Sequence, residues 1–138
     1  MVAALDSNVF IAFLSRDDAF YRSALDIIKQ IDSGKTKAVC SSIVYGEIVY
    51  TARRKDTLSE VEHFFQQLSN CTAVPADKKV CIEAAKLRFK YTSLRLPDAI
   101  HLASALHANA DVFVTADKRL AKIAKQEIKT NLLGTSTI

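Results

Sequence analysis

Apolar residues along this chain follow two rhythms. Short runs, Val2-Ala3-Ala4-Leu5, Lys37-Ala38-Val39-Cys40-Ser41, Cys71-Thr72-Ala73-Val74 and Asp111-Val112-Phe113-Val114-Thr115, have the length and apolar content of strands buried on both faces. Between them apolar positions recur every three or four residues, as on one face of a helix. Phe20, Ala24, Ile27, Ile28 and Ile31 mark a helix over residues 17–31, with Asp17 and Asp18 in its first turn and Ser33-Gly34 stopping it. Val61, Phe64, Phe65 and Leu68 mark another, opened by Thr57-Leu58-Ser59-Glu60 in the manner of a capping box. Val80, Ala84, Leu87 and Tyr91 define a third stripe over residues 77–91. Shorter helices are expected over residues 8–14, 43–55 (opened by Ser42), 98–108 (Pro97 at the favoured first position) and 118–125, with an edge strand over 128–133. Strands alternating with helices predict an α/β fold with a mainly parallel sheet covered on both faces.

Composition narrows this without changing it. With 138 residues, 49% of them hydrophobic, and only three Gly and two Pro, the chain is expected to be one domain, not a disordered or linker-rich array. A net charge of +4 permits an anionic partner but does not by itself identify one. Cys40, Cys71 and Cys81 form no C-x-x-C pair and have no zinc-like His spacing, so free thiols in a reducing compartment are expected. The start lacks a basic signal-peptide region, and no run approaches the ~20 apolar residues needed to span a bilayer. The expectation is a cytoplasmic protein without a membrane segment.

Four acids stand where a core would not choose them. Asp6 ends the first strand, so its carboxylate projects from the carboxyl rim of the sheet, where ligands bind in open α/β sheets. Asp117 stands just past the strand ending in Thr115. Both could equally cap the helices that follow. Glu47 borders the apolar face of its helix with no Lys or Arg three or four residues away. Asp98 opens a helix on the face shared with Leu102 and Ala105, where an unpaired charge is costly, although a first-turn acid is also favoured by the helix dipole. Carboxylates meeting on one rim suit Mg²⁺ or Mn²⁺, hard ions held by a few oxygens plus water. Such ions activate water and offset charge on phosphoryl oxygens, which favours hydrolysis of phosphodiesters or phosphate monoesters. There is no G-x-S-x-G elbow and no P-loop. His63, His101 and His107 are too scattered to pair with a nucleophile, and His101 is expected to pack or hydrogen-bond on the Asp98 helix.

Leu5-Asp6-Ser7-Asn8, Tyr45-Gly46-Glu47-Ile48, Leu96-Pro97-Asp98-Ala99-Ile100 and Val114-Thr115-Ala116-Asp117, in this order and spacing, resemble the PIN domain, and the length resembles the VapC-like toxins of toxin–antitoxin pairs. The resemblance implies a Rossmann-like three-layer sandwich spanning residues 1–138 and a Mg²⁺- or Mn²⁺-dependent endoribonuclease. It also implies a homodimer and an antitoxin partner that occludes the acidic site. Carried over by position, it makes Asp6 and Asp98 metal ligands, Glu47 a ligand directly or through water, and Asp117 the last of the acidic set. Asn8 and Thr115 take supporting roles.

An RNA phosphate also needs a grip, and Lys118, Arg119, Arg95 and Arg53 are the candidates, since Lys and Arg make most backbone contacts. Two other functions stay open. One is a non-catalytic module whose acids serve a protein partner. The other is a small-molecule phosphohydrolase, although Asn8 stands where such enzymes often place the second acid of a D-x-D pair.

Overall fold

The structure, a computed structural model, describes residues 1–52 and 55–134. The elements run β1 (Val2–Leu5), α1 (Ser7–Leu14), α2 (Tyr21–Asp32), β2 (Lys37–Ser41), α3 (Val44–Ala52), α4 (Lys55–Gln67) and β3 (Cys71–Val74). They continue with α5 (Lys78–Lys90), α6 (Leu96–His107), β4 (Val112–Thr115), α7 (Lys118–Ala124) and β5 (Thr130–Leu132). The sheet order is β3-β2-β1-β4-β5 and every pairing is parallel. β1 is therefore the central strand. The chain builds outward from it on one side through β2 and β3, then crosses to β4 and β5 on the other. The reversal falls between β1 and β4, and the crevice beyond their carboxyl ends is the switch point at which such sheets bind ligands.

Strand alternation explains how helices come to cover both faces. Ala3 and Leu5 of β1, with Val112 and Val114 of β4, point into a core completed by Val9, Phe10, Ile27, Ile31, Val44 and Val61 from α1 to α4. Ala4 and Phe113 point the other way, into a core with Val80, Ala84, Leu87, Leu102 and Leu120 from α5 to α7. The result is the expected three-layer α/β sandwich. Phe64 and Phe65 are half-buried, with ring centroids 6.3 and 5.2 Å from the fully buried Phe10, so they belong to the first core's margin.

Three helix starts lie two or more residues from the sequence expectation. α2 begins at Tyr21, because Asp18 Oδ1 accepts a hydrogen bond from the Phe20 amide (2.8 Å) and holds a turn that competes with helix. Asp17 and Asp18 are thus outside the helix. α4 is helical from Lys55 onward, so Thr57 falls inside it. α6 begins at Leu96, which puts Pro97 at the tolerated second position and Asp98 in the first turn. Arg53, a candidate RNA contact, lies outside the described residues. Among the described residues no helix is long and apolar enough to cross a membrane.

Candidate active site at the carboxyl rim of the sheet

Asp6 sits one residue beyond β1, 3% exposed, with its amide still donating to Val114 O of β4 (3.0 Å). Its Oδ1 accepts from the Ser7 amide at the start of α1 (2.8 Å), and its Oδ2 accepts from Thr115 Oγ1 (2.7 Å). Thr115 ends β4 and is fully buried. While donating to Asp6, its hydroxyl accepts from Asn8 Nδ2 (3.2 Å) and from the Asp117 amide (3.1 Å). Asn8 Oδ1 in turn accepts from the Ala116 amide (3.0 Å). One hydroxyl thereby uses its single donor and both lone pairs to lock β1, α1 and the β4–α7 turn together. Thr115→Val keeps the shape and removes all three bonds. The expected loss is about 1–3 kcal/mol of folding stability, visible as a lower denaturant midpoint at unchanged m.

Glu47 of α3 meets His101 of α6, 54 residues away in sequence. His101 Nε2 lies 2.5 Å from Glu47 Oε1 and 3.7 Å from Asp6 Oδ1, and the imidazole is almost wholly buried. Its Nδ1 is buried and has no hydrogen-bond partner among the described residues. Burial pushes the imidazole pKa down, but Glu47, Asp6 and Asp98 together outweigh it and raise the value above the ordinary one. His101 is the residue that sequence reasoning kept out of the site. Its i+3 spacing from Asp98 already placed it one turn along the same helix face; what the sequence did not reveal was that α3 would bring Glu47 to it.

Asp98 is half-buried near the start of α6, with Arg95 Nε 3.4 Å from its Oδ2. Asp117 caps α7, and both cap bonds, from the Arg119 (2.8 Å) and Leu120 (3.2 Å) amides, fall on Oδ1. Asp6 and Asp117 are therefore helix caps and rim acids at once, so the two sequence alternatives do not exclude each other. A cleft of about 200 Å³ lies between Asp98 and Asp117, and Arg95, Arg119 and Lys122 also line it. Lys118 is exposed and does not line that cleft, whereas Lys122, one turn further along α7, does.

Burial raises the Asp6 pKa above the ordinary carboxylate value, against the pull of His101, Thr115 and the Ser7 amide, and Asp98 adds to the rise. Asp98 is raised as well, first by burial, then by Asp117, in spite of Arg95 and His101. The donors are carboxylate oxygens whose negative charge is disfavoured as they stand, which is the chemistry a hard divalent cation relieves. Among the described residues no three His, Cys, Asp or Glu side chains close around a single point. What points to Mg²⁺ or Mn²⁺ is the donor type alone, carboxylate oxygens, which hard divalent ions take one or two at a time beside several waters.

Fold and rim together define an α/β domain of the Rossmann-like class with an acidic switch-point crevice. The PIN domain model matches residues 3–126, and the chain belongs to the PIN domain family. No curated protein matches the sequence. Among solved structures, a chain of the VapBC2 complex from Rickettsia felis, bound to promoter DNA, is 18% identical, with a TM-score of 0.70 over 96% of this chain and 98% of that one. FitAcB from Neisseria gonorrhoeae is 14% identical, with a TM-score of 0.70 over 99% and 100%. VapC20 of Mycobacterium tuberculosis, a toxin that cleaves the sarcin–ricin loop, is 12% identical, with a TM-score of 0.71 over 88% and 94%. At these identities the likeness is one of fold.

Proposed function

We propose that this chain is a single-domain Mg²⁺- or Mn²⁺-dependent endoribonuclease, the toxin of a toxin–antitoxin pair, with Asp6, Glu47, Asp98 and Asp117 as its acidic set. The observation that carries this is Asp6: a carboxylate 3% exposed, electrostatically coupled to Asp98, at the switch point of a parallel sheet. The sarcin–ricin-cleaving toxin and the toxin–antitoxin complexes among the structural neighbours support the reading.

Asp6, Asp98 and Asp117 would hold the ion, one or two of them directly and the rest through water, with Thr115, itself bonded by Asn8, fixing the Asp6 carboxylate. When bound, the ion supplies water activation and neutralises charge that develops on the phosphate. The chain's own cations complete the grip: Arg95, Arg119 and Lys122 face the same cleft as Asp98 and Asp117, within reach of phosphates flanking the one attacked. An apolar groove of about 840 Å³ between α3 and α4, lined by Tyr45, Val49, Leu58 and Phe65, offers an apolar surface for an antitoxin.

Purified protein is expected to cut a labelled RNA in Mg²⁺ or Mn²⁺ and to leave a simple phosphate monoester untouched. The opposite pattern would point to a small-molecule phosphohydrolase, and tight partner binding without cleavage in any metal would point to a binding module. The double variant Arg119→Ala, Lys122→Ala is expected to weaken RNA binding with Ca²⁺ replacing Mg²⁺. It should also flatten the dependence of log K on log salt by roughly 0.7 for each phosphate of a single strand that the variant no longer neutralises. An unchanged slope in fluorescence anisotropy would place the RNA elsewhere.

A further inference from the structure

Phe89 of α5 is 90% exposed, more than any other large hydrophobic side chain among the described residues; Met1 follows at 55%. Leu87 enters the core, and Phe89, two positions on, is turned ~200° away from it around the helix. Folding gains almost nothing from this ring. Nor does it sit in an apolar patch of the kind a protein partner covers. Ile82, the other large exposed apolar residue of α5, is two turns back. Lys86, one turn back on the same face, and Arg88 and Lys90 on either side in sequence make the surroundings cationic, and all three are exposed. A single exposed apolar residue is ordinary by itself. What singles out this one is where α5 ends.

Arg88 Nε donates to Leu94 O (3.1 Å) and the Leu94 amide donates to Tyr91 O (3.0 Å), so the link 91–95 folds back as a tight turn. Ser93, Leu94 and Arg95 of that turn line the cleft beside Asp98 and Asp117. Lys90 Nζ (2.8 Å) and the Tyr91 hydroxyl both donate to Glu127, which follows α7. The end of α5 is thereby fixed on two sides. From Phe89 to Leu94 the chain spans at most ~18 Å when extended, and the turn shortens that. A held phenyl face next to a cationic cleft suits a single-stranded polynucleotide, whose bases stack on aromatic rings while Lys and Arg track its phosphates. Resting on the nuclease reading above, we propose that Phe89 is a stacking platform for an unpaired base of the RNA. That base lies outside the cleft, and Arg95, Arg119 and Lys122 hold the backbone that leads from it to the phosphate attacked. Stacking tolerates every base, so Phe89 selects unpaired strand over duplex and not one sequence over another.

The chain has no Trp, so Phe89→Trp places a single indole at this position. With Ca²⁺ replacing Mg²⁺, a single-stranded RNA oligonucleotide is expected to quench its fluorescence, and a ribose-phosphate strand without bases to leave it unchanged. Phe89→Ala alters a side chain that the fold does not bury. It should weaken single-stranded RNA binding roughly 5- to 150-fold, with the slope of log K against log salt and the affinity for duplex RNA as in wild type. Phe89→Leu keeps an apolar side chain without a π-face and should behave as Phe89→Ala does. Quenching by the base-free strand, or wild-type affinity in Phe89→Leu, would overturn the stacking role. Wild-type affinity in Phe89→Ala would overturn it as well, and loss of self-association by that variant in sedimentation would then assign the ring to an interface with a second copy. In each of these cases cleavage by wild type in Mg²⁺ leaves the nuclease reading standing. A wild type that neither binds nor cuts RNA would overturn both.

Discussion

Asp98→Asn is expected to abolish RNA cleavage while leaving the metal-free protein at least as stable as wild type. Residues that merely support a metal ligand typically cost 10–100-fold when removed, so loss of a ligand should cost more than ~100-fold. Stability should move the other way. Burial raises the Asp98 pKa, which means the folded chain holds this charge at a disadvantage relative to the unfolded chain at neutral pH. Asn keeps the shape and drops the charge. What it gives up is a 3.4 Å ion pair with an exposed Arg95, an interaction of the kind that contributes little in water. The expected readout is therefore a melting temperature equal to or a few degrees above wild type, with cleavage absent. Such opposed effects on stability and activity mark a residue kept for function. Cleavage surviving at wild-type rate would remove Asp98 from the site, and a large fall in melting temperature would make its role structural.

Much of the scaffold was legible because its strands are short, apolar and interrupted by helices, a pattern that only a two-sided parallel sheet satisfies. Asp6 and Asp117 were legible for the same reason: once β1 and β4 are placed, the residues after them have one rim to occupy. The helix starts were less so. Asp18 can stabilise either a helix's first turn or a turn of its own, and the backbone bond from Phe20 to its side chain selects the second. Thr57 illustrates the same limit, since a capping-box pattern says nothing about residues upstream that can already be helical. His101 was hidden for a different reason. Its partner Glu47 is 54 residues away, and only the packing of α3 and α6 around β1 brings an imidazole between two carboxylates. Local periodicity assigns a face to each residue but does not say which other face it will meet.

Metal removal and pH should act on this protein together. Chelation is expected to stop cleavage and added Mg²⁺ to restore it, and the stabilisation by Mg²⁺ should be larger at pH 8 than at pH 6. Asp6 and Asp98 have folded pKa values above their unfolded ones, so as pH climbs past the ordinary carboxylate range the unfolded chain ionises first and folding is disfavoured. His101, raised above its ordinary 6.5, contributes stability that is fully present below that value and is lost as pH rises through its folded pKa. All three act in one direction, and His101 is the one whose titration begins inside this interval, so the metal-free protein should melt lower at pH 8 than at pH 6. A bound cation reverses the carboxylate part of that loss, and protons compete with it less as pH rises. At a hundredfold excess of Mg²⁺ over its dissociation constant the stabilisation reaches about 2.7 kcal/mol, several degrees of melting temperature for a domain of this size. Thermal melts at matched ionic strength, with and without chelator, separate this from screening. A Mg²⁺ shift of equal size at both pH values, or one retained in Asp98→Asn, would mean that the ion binds somewhere other than the rim.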